Sequence, residues 1–500
     1  MKNKRIFKWK NKFSLLALFI AYSIVLLGQQ KAFVVIGQSD FTSGLVNQGG
    51  TVDANTLNTP GQTLLMNGKF IVADQQNNRV LIYNSIPITN NVSADVVIGQ
   101  YDFVHKTTNH GGNTSADGFD RPSGLATDGQ KLFVLDRDNY RVLIYNSLPT
   151  SNGASADVVI GQVNMTDRIH GGESVFNDTV GLSAYHLSTG ASGLLYDEMS
   201  GKLIVYDSDN DRVLIYNDIP DSNGVAADVV IGQPDFNHNM TNQGGPIGPN
   251  AFDLSTASGL ATYNGKLFVA DRENNRVLIY NEIPTTNNAM ADVVIGQVDF
   301  THNSPNQGGP ISAWGMDRPR AIAIDRFGRL YIAEAGNSRI LVYNQIPTSN
   351  GVAADNVIGQ PDFTTNTPST TDSTFQTFIF HLLIKNDTLI VTDGTNNRIL
   401  FFTIDTPTGA NEQIFVKSSD ILLYPNPNQG TFNLIFNKIP AGPVHVLIFD
   451  MMGREVYRDF HEVNLGKIKL TPSDLKAGMY NFTIITGKEI IGGILFSVDE

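Results

Sequence analysis

The sequence predicts an all-β protein, a six-bladed β-propeller followed by a small C-terminal β-sandwich. Three observations lead to this prediction. A segment of roughly 60 residues recurs six times, and each copy reads as four short strands without a helical period between Phe33 and Thr403. From about residue 420 the repeat stops, and apolar residues alternate with glycine turns in a new pattern. Repeated four-stranded units without helices are typical of propeller blades.

Two markers define the repeat. One is an acid, an Asn-rich turn and an arginine that opens an apolar strand, as in "DRENNRVLIYN" from Asp271; the other is "VVIGQ" or a close variant. Asn tolerates left-handed backbone, and Arg can bond a carboxylate or carbonyl groups. We therefore predict six structural hairpin locks rather than a catalytic set: Asp74 and Arg79, Asp136 and Arg141, Asp207 and Arg212, Asp271 and Arg276, Glu334 and Arg339, Asp393 and Arg398.

The phase of the repeat predicts a closed ring. The first unit begins with a spare "AFVVIGQ" strand, while the last unit stops after "NRILFFT" and lacks the strand that follows in every other unit. We expect Phe33 to Gly37 to pair with Arg398 to Phe402 as the outermost strand of the sixth blade. Such a closure removes the free sheet edges that a linear solenoid, the alternative architecture, would have to cap.

The chain divides into four predicted segments. Residues 1–28 carry six basic residues and then a 15-residue apolar run, the pattern of a signal peptide; a retained membrane anchor is the alternative. The propeller is predicted over 29–404, a polar linker over 405–419 and the second domain over 420–500. Removing the leader takes the net charge from −13 to about −19, which argues against nucleic acid as a partner. Without cysteine, the exported chain has no disulfides.

The repeat unit "LFVADRENNRVLIYN" resembles the NHL repeat family, whose units share the order strand, Ala-Asp, Asn-rich turn, Arg and strand. The resemblance extends over about residues 33 to 403 and implies the six-bladed NHL-like propeller. The units here are about 20 residues longer than usual for the family, mainly in the loop after "IGQ".

The C-terminal segment resembles the type IX secretion system sorting domain of Bacteroidetes. The resemblance rests on "YPNP" at 424–427, Gly430, "DMMGREV" at 450–456 and "AGMY" at 477–480, in that order. It implies that residues 420–500 engage the type IX secretion machinery. Export would then run through the periplasm to a secreted or outer-membrane surface location. An adhesive Ig-like module is the alternative for this segment, whose ending is less basic than that of many family members.

The sequence lacks the motifs of common enzymes: there is no nucleophile elbow, P-loop or HExxH. Three blades place a histidine at one equivalent loop position, which makes His105, His238 and His302 candidate metal ligands. Asp207, Asp209 and Asp211 alternate as in calcium loops but without the downstream Gly and Glu. The interpretation favours hairpin and loop roles for these residues, and it leaves a calcium or zinc ion as the open cofactor hypothesis.

Blades differ most in the residues that lead into the innermost strands, as expected where loops on a rigid scaffold carry function. The candidate binding residues are Asp120, Arg121, His186, Asp253, Trp314, Asp317 and Arg318. A monomeric binding module for an extracellular protein, peptide or glycan is favoured. The alternatives are a metal-dependent enzyme of the lactonase or amidating-lyase type, which the resemblance to six-bladed propellers implies, and a purely structural surface protein.

Overall fold

A computed structural model describes residues 30–170, 183–188, 193–244, 250, 254 and 259–404, and in the C-terminal part residues 421–424, 432–436, 444–450, 455–461, 463, 467–472, 475, 478–486 and 489–498. Residues 30–404 contain six four-stranded antiparallel sheets. Each sheet is one blade, written here from its inner to its outer strand. The predicted six-bladed propeller is therefore confirmed.

Five blades are built from consecutive strands. Blade 1 has β2 (Pro60–Met66), β3 (Lys69–Asp74), β4 (Arg79–Tyr83) and β5 (Val96–Ile98); blade 2 has β6 (Pro122–Thr127), β7 (Leu132–Asp136), β8 (Arg141–Tyr145) and β9 (Val158–Ile160); blade 3 has β10 (Gly193–Asp197), β11 (Lys202–Asp207), β12 (Arg212–Tyr216) and β13 (Val229–Ile231). Blade 4 has β14 (Gly259–Tyr263), β15 (Lys266–Asp271), β16 (Arg276–Tyr280) and β17 (Val293–Ile295); blade 5 has β18 (Pro319–Ile324), β19 (Leu330–Glu334), β20 (Arg339–Tyr343) and β21 (Asn356–Ile358).

Blade 6 closes the ring with the two ends of the repeat region. It consists of β22 (Ile379–Lys385), β23 (Thr388–Asp393), β24 (Arg398–Thr403) and the first strand of the chain, β1 (Ala32–Ile36). β1 runs antiparallel to β24, with Ala32 opposite Phe402 and Ile36 opposite Ile399. The closure predicted from the phase of the repeat is thus confirmed.

The hydrophobic core lies between blades. Each strand alternates its side chains between the two faces of its sheet, so one blade contributes to the core on either side. Blades 1 to 6 share cores pairwise around the ring, and the pair that completes the circle joins Val34 and Ile36 of β1 to Phe70 and Val72 of blade 1. These four side chains are fully buried.

The "IGQ" marker ends each outer strand with a fixed turn. Gly99 has a φ of 82°, and a Cβ atom added there would lie 2.0 Å from Cδ2 of Phe119. The following Gln100 is buried and donates from Nε2 to the carbonyl groups of Asn78 (3.0 Å) and Thr107 (2.9 Å). The positive φ and the lack of room for a Cβ atom therefore both require glycine at this position. The glutamine that follows anchors the loop that leaves the blade.

Short 3₁₀ turns complete the propeller. Among the residues that the structure describes, four lie in the loops after the outer strands, at Val46–Gly49, Thr108–Gly111, Thr241–Gly244 and Pro305–Gly308; four lie in the acid-to-arginine turns, at Gln75–Asn77, Arg137–Asn139, Ser208–Asn210 and Gly394–Asn396. Within the described ranges, no helix is long and apolar enough to cross a membrane. The predicted signal peptide and linker, 1–28 and 405–419, lie outside the described residues.

The C-terminal part forms two further sheets. One has three strands, β25 (Ile421–Tyr424), β26 (Phe432–Phe436) and β29 (Lys467–Leu470); the other has four, β28 (Glu455–His461), β27 (Val444–Asp450), β30 (Gly478–Thr486) and β31 (Glu489–Val498). Phe432, Leu434 and Ile468 from the first sheet share one buried cluster with Val446 and Ile448 from the second. The two sheets therefore enclose a common core, as in a small sandwich.

Candidate binding face

Two of the features that the sequence singled out lie at one end of the ring. In blade 1 the first residue of the inner strand, Pro60, lies opposite Asp74, the last residue of the second strand. Pro122 and Asp136 have the same relation in blade 2, as do Pro319 and Glu334 in blade 5. The starts of the inner strands and the acid-to-arginine hairpins thus share one end of the propeller, which we call the axial face.

A buried charged constellation underlies the axial face in every blade. In blade 1, Arg79 Nε donates to Asp74 Oδ2 at 2.8 Å, and both side chains are fully buried. Nη1 donates to the carbonyl of Phe103 in the loop that leaves the blade (2.7 Å), and Nη2 to those of Asp53 (2.8 Å) and Thr56 (2.9 Å) in the loop that arrives. The arginine therefore joins its hairpin to the loops on both sides.

The same constellation recurs around the ring. Each of the other five arginines bonds its acid through Nε, the departing loop through Nη1 and the arriving loop through Nη2; they are Arg141, Arg212, Arg276, Arg339 and Arg398. An asparagine three residues after the acid also donates to it, as Asn77 does to Asp74 Oδ2 at 2.8 Å. This set fixes the backbone of the face and leaves none of its arginine groups at the surface.

Burial disfavours the charged form of four of these acids, and their partners act against that effect. Burial raises the pKa of the carboxyl groups of Asp74, Asp136, Glu334 and Asp393, and in each case the adjacent arginine acts against the rise. For Asp74, the backbone N–H of Asn58 and the Asn77 amide act in the same direction as Arg79. Such a group depends on its partners for a stable buried charge.

Two pairs of neighbouring candidate residues have equivalent places: Asp120 and Arg121 in blade 2, and Asp317 and Arg318 in blade 5. The backbone N–H of Asp120 donates to Asp136 Oδ1 (2.7 Å), and that of Asp317 to Glu334 Oε2 (2.8 Å). Their neighbours have left-handed backbones, with φ of 54° for Arg121 and 53° for Arg318. The backbone N–H groups of these two arginines donate to the side chains of Asn78 and Asn275, each in the preceding blade, at 2.9 and 2.8 Å. Backbone bonds hold both pairs, while the arginine side chains are 44% and 45% exposed.

The other candidate residues are more scattered. His186 is buried, its Nδ1 lies 2.8 Å from Ser183 Oγ, and its carbonyl accepts from Arg212. Trp314 is 55% exposed. Asp253 lies outside the described residues. Trp314 is thus the aromatic candidate that presents a large surface to solvent.

The three candidate metal-ligating histidines each contact an aspartate of their own loop. Nδ1 of His105, His238 and His302 lies 2.7, 2.6 and 2.7 Å from the carboxylate three residues earlier. At the equivalent place in the first loop, Ser43 Oγ bonds Asp40. The shared position therefore serves a local turn. Among the residues that the structure describes, no three His, Cys, Asp or Glu side chains form a group suited to a metal ion.

Sequence reasoning missed three arginines and two phenylalanines at the axial face. Arg137 and Arg272 follow directly after the acids of blades 2 and 4, and Arg320 is the second residue of the inner strand of blade 5. The Arg320 guanidinium carbon lies 4.2 Å from the ring centroid of Phe380 and 5.3 Å from that of Phe378. Aligning the residue after each acid would have shown that only blades 2 and 4 place a charge there.

A histidine on the inner strands links the first and last blades. Nδ1 of His381 in β22 lies 3.2 Å from both the backbone N and Oγ1 of Thr63 in β2. Burial lowers the pKa of His381 to about 4. An imidazole neutral at pH 7 can accept from the Thr63 N–H, so the ring closure has a polar contact on its inner side.

The comparisons with known proteins concern the C-terminal part and the fold. Residues 422–492 match the family model described as "Secretion system C-terminal sorting domain". The chain is a six-bladed β-propeller with a C-terminal sorting domain of this secretion system, which implies secretion or a cell-surface location. The same domain implies contact with the type IX secretion machinery. No curated protein is similar enough in sequence to be matched to the chain.

Solved structures match at low similarity. The extracellular domain of a proposed one component system from B. thetaiotaomicron is 8% identical with a TM-score of 0.35; the match covers 94% of this chain and 57% of that one. A protein of unknown function from Bacteroides thetaiotaomicron VPI-5482 is 13% identical (TM-score 0.40, coverage 74% and 76%). Glutaminyl cyclase from Myxococcus xanthus is 14% identical (TM-score 0.28, coverage 55% and 87%). These likenesses say nothing about the chemistry of the axial face.

Proposed function

We propose that the propeller is a binding module for an extracellular protein, peptide or glycan, carried to the cell surface or released by the sorting domain, and that the axial face is its binding surface. The proposal assigns the NHL-like repeats to the scaffold and the variable residues at the starts of the inner strands to recognition. Binding needs a shaped face with a few polar and aromatic groups, and it needs no reacting set.

One observation carries the proposal: a constant buried frame supports a face whose side chains differ from blade to blade. All six blades repeat the same acid, asparagine and arginine bonds beneath the face. Above it, Arg121, Trp314 and Arg318 are exposed, although the backbone of the two arginines is fixed. Fixed backbone with exposed, varied side chains is how propeller and loop scaffolds present binding groups.

Binding of the protein to glycan and peptide arrays, together with a metal analysis of the same purified chain, tests the proposal. The full exported chain is applied to glycan and peptide arrays, and any hit is repeated with Trp314→Ala, which removes the exposed ring, and with Met199→Ala at the opposite end of blade 3 as the matched control. We expect the first variant to weaken the hit and the second to leave it unchanged. The absence of any hit, or a stoichiometric metal with hydrolytic activity on a lactone, would overturn the binding-module proposal.

A further inference from the structure

The outer strand of each blade has one edge that faces away from the rest of its sheet, and in blade 1 this edge is capped. Val97 of β5 lies opposite Leu81 of β4, but its N–H donates to Asn152 Oδ1 (3.0 Å) and its C=O accepts from the N–H of Gly153 (3.0 Å). Both capping residues belong to the following blade. An edge strand offers such backbone groups to whatever lies beside it, so the Asn-Gly pair satisfies the edge of blade 1.

The same cap covers four further outer strands. The N–H of a central valine donates to an Asn side chain at 3.0 or 3.1 Å, and its C=O accepts from the next backbone N–H at 2.9 or 3.0 Å. The capped valines are Val35, Val159, Val230 and Val294, and their caps are Asn90 and Asn91, Asn223 and Gly224, Asn287 and Asn288, and Asn350 and Gly351. The second residue of all five caps has left-handed backbone, with φ between 55° and 66°, which favours Gly or Asn there.

Blade 5 differs from the other five blades at this edge. Its outer strand β21 has the same register, with Val357 opposite Leu341, so the N–H and C=O groups of Val357 face outward as those of Val97 do. Among the residues that the structure describes, neither of these two groups has a hydrogen-bond partner. The five capped valines are fully buried, whereas Val357 is half-buried. The outer edge of β21 is therefore open within the described part of the chain.

The open edge follows from the way in which the ring closes. Each cap comes from the loop between the third and fourth strands of the next blade. Blade 6 takes its fourth strand, β1, from the start of the repeat region, so β24 is followed by the predicted linker and not by such a loop. In blades 1 to 5 the capping Asn stands eleven residues after the motif arginine, and Gly409 holds that place after Arg398. The chain's own continuation therefore lacks the amide group of a cap.

The sequence of β21 makes its edge selective. Asn356 stands where the outer strands of blades 1 to 4 have valine, and its Nδ2 lies 3.3 Å from Asn344 Oδ1 in the same blade. A polar side chain on an edge strand discourages pairing with apolar strands in general. A partner of this edge therefore needs the two groups that the caps supply, an amide oxygen for the N–H of Val357 and an N–H for its C=O.

We infer that the outer edge of β21 is a docking site for a peptide segment of another protein, in which an Asn is followed by Gly or Asn. The Asn Oδ1 of the peptide accepts from the Val357 N–H, and the next N–H donates to the Val357 C=O, as in the five caps. A second copy of this chain does not fit, because its five loops of this kind are engaged with its own strands. The site goes beyond the proposed function, since it lies on the outer strand of blade 5 and not on the axial face.

Amide exchange measured by NMR on the full exported chain, labelled with nitrogen-15 valine, tests the site. Without a peptide, the Val357 amide should exchange at least about tenfold faster than those of Val97 and the other capped valines, because their N–H groups are bonded and buried. The probe is a peptide with blocked ends and the sequence of residues 346–354, IPTSNGVAA, and its control carries Asn350→Ala. We expect the probe to shift the Val357 amide signal and slow its exchange, and the control peptide to do neither.

Val357→Pro removes the donor of the docking edge. Proline is tolerated on an edge strand where the N–H faces outward, so this variant should melt close to wild type. It should bind the dye-labelled probe about tenfold or more weakly than wild type in a fluorescence anisotropy titration. Val97→Pro is the matched control: it removes an N–H that Asn152 caps and leaves a buried amide oxygen without its donor. Thermal melting should therefore show a larger loss for Val97→Pro than for Val357→Pro.

Several outcomes overturn the inference. Slow exchange of Val357 at every protein concentration means that the chain covers its own edge, and slow exchange only at high protein concentration means that a second copy covers it. Equal binding of the two peptides, equal binding by wild type and Val357→Pro, or no effect of the probe at its solubility limit also rejects the site. Array hits that are lost in Trp314→Ala but kept in Val357→Pro belong to the axial face, so the two proposals fail or stand separately.

Discussion

Arg276 Nε lies 2.7 Å from Asp271 Oδ2, and both side chains are fully buried. Nη1 of the same arginine bonds the carbonyl of Phe300, and Nη2 that of Asn250, at 2.6 and 3.0 Å. One guanidinium thus holds a hairpin and two loops that are far apart in sequence. The relation gives a structural reason for the recurrence of the motif in every blade.

Arg276→Ala should destabilise the propeller by about 3 to 5 kcal/mol, because it leaves Asp271 as a buried charge without its cation. Urea unfolding of the full chain measures the loss. Arg326→Ala, which breaks an exposed pair, should cost about 0 to 1 kcal/mol and serves as the control. Weakened ligand binding in Arg276→Ala without any loss of stability would contradict the structural role.

Val35→Asp should destabilise the protein by roughly 3 kcal/mol or more, because it buries a carboxylate in the core between blades 5 and 6. Phe33→Asp is the matched control, since Phe33 stands on the same strand but is 49% exposed. The difference between the two unfolding free energies measures how much the ring depends on β1. Equal stabilities would show that β1 is not needed for a stable sixth blade.

Gly99→Ala should cost roughly 1 to 3 kcal/mol more than Gly68→Ala, because the added methyl group overlaps the Phe119 ring. Gly68 is the control: its φ is 77°, close to the 82° of Gly99, and no other atom lies within 4 Å of an added Cβ. Both variants carry the same backbone strain, so their difference isolates the steric overlap. Thermal and urea unfolding measure it, and equal losses would exclude that overlap.

The carboxyl group of Asp299 should titrate near pH 2. Its pKa is lowered from 3.8 to about 2, first by the His302 side chain and then by the side chain and N–H of Thr301. A lowered pKa in the folded state means that the contact stabilises the fold above pH 3.8 and that this contribution is lost as the pH falls toward 2. Carboxyl NMR titration measures the midpoint, which should rise in His302→Ala. An unchanged midpoint would mean that the histidine does not serve the turn.

Periodicity made most of the fold predictable, because each blade must repeat the same strands and turns to pack against its neighbours. The spacing of Asp271 and Arg276 indicated their hairpin. The spacing could not show that Nη1 of Arg276 reaches the carbonyl of Phe300, because that contact depends on where the departing loop folds back. The place of β1 was predictable because only one strand was missing from the repeat.

The candidate site was less predictable, because its groups meet across blades. Arg320 and Phe380 are 60 residues apart in sequence, and their contact follows from the neighbouring places of two inner strands. His105, His238 and His302 shared a position for a local reason, the turn made by the aspartate three residues earlier. A shared sequence position therefore indicated a shared turn and gave no information on convergence at the axis.

The pairing of Ala32 with Phe402 sets how the propeller responds to tension and to transport. Because the strands are antiparallel, the two ends of the repeat region emerge side by side, and a pull between them would unzip the outer pair of blade 6 one bond at a time. A chain that crosses a membrane end first also completes this blade only when both ends have reached the same compartment.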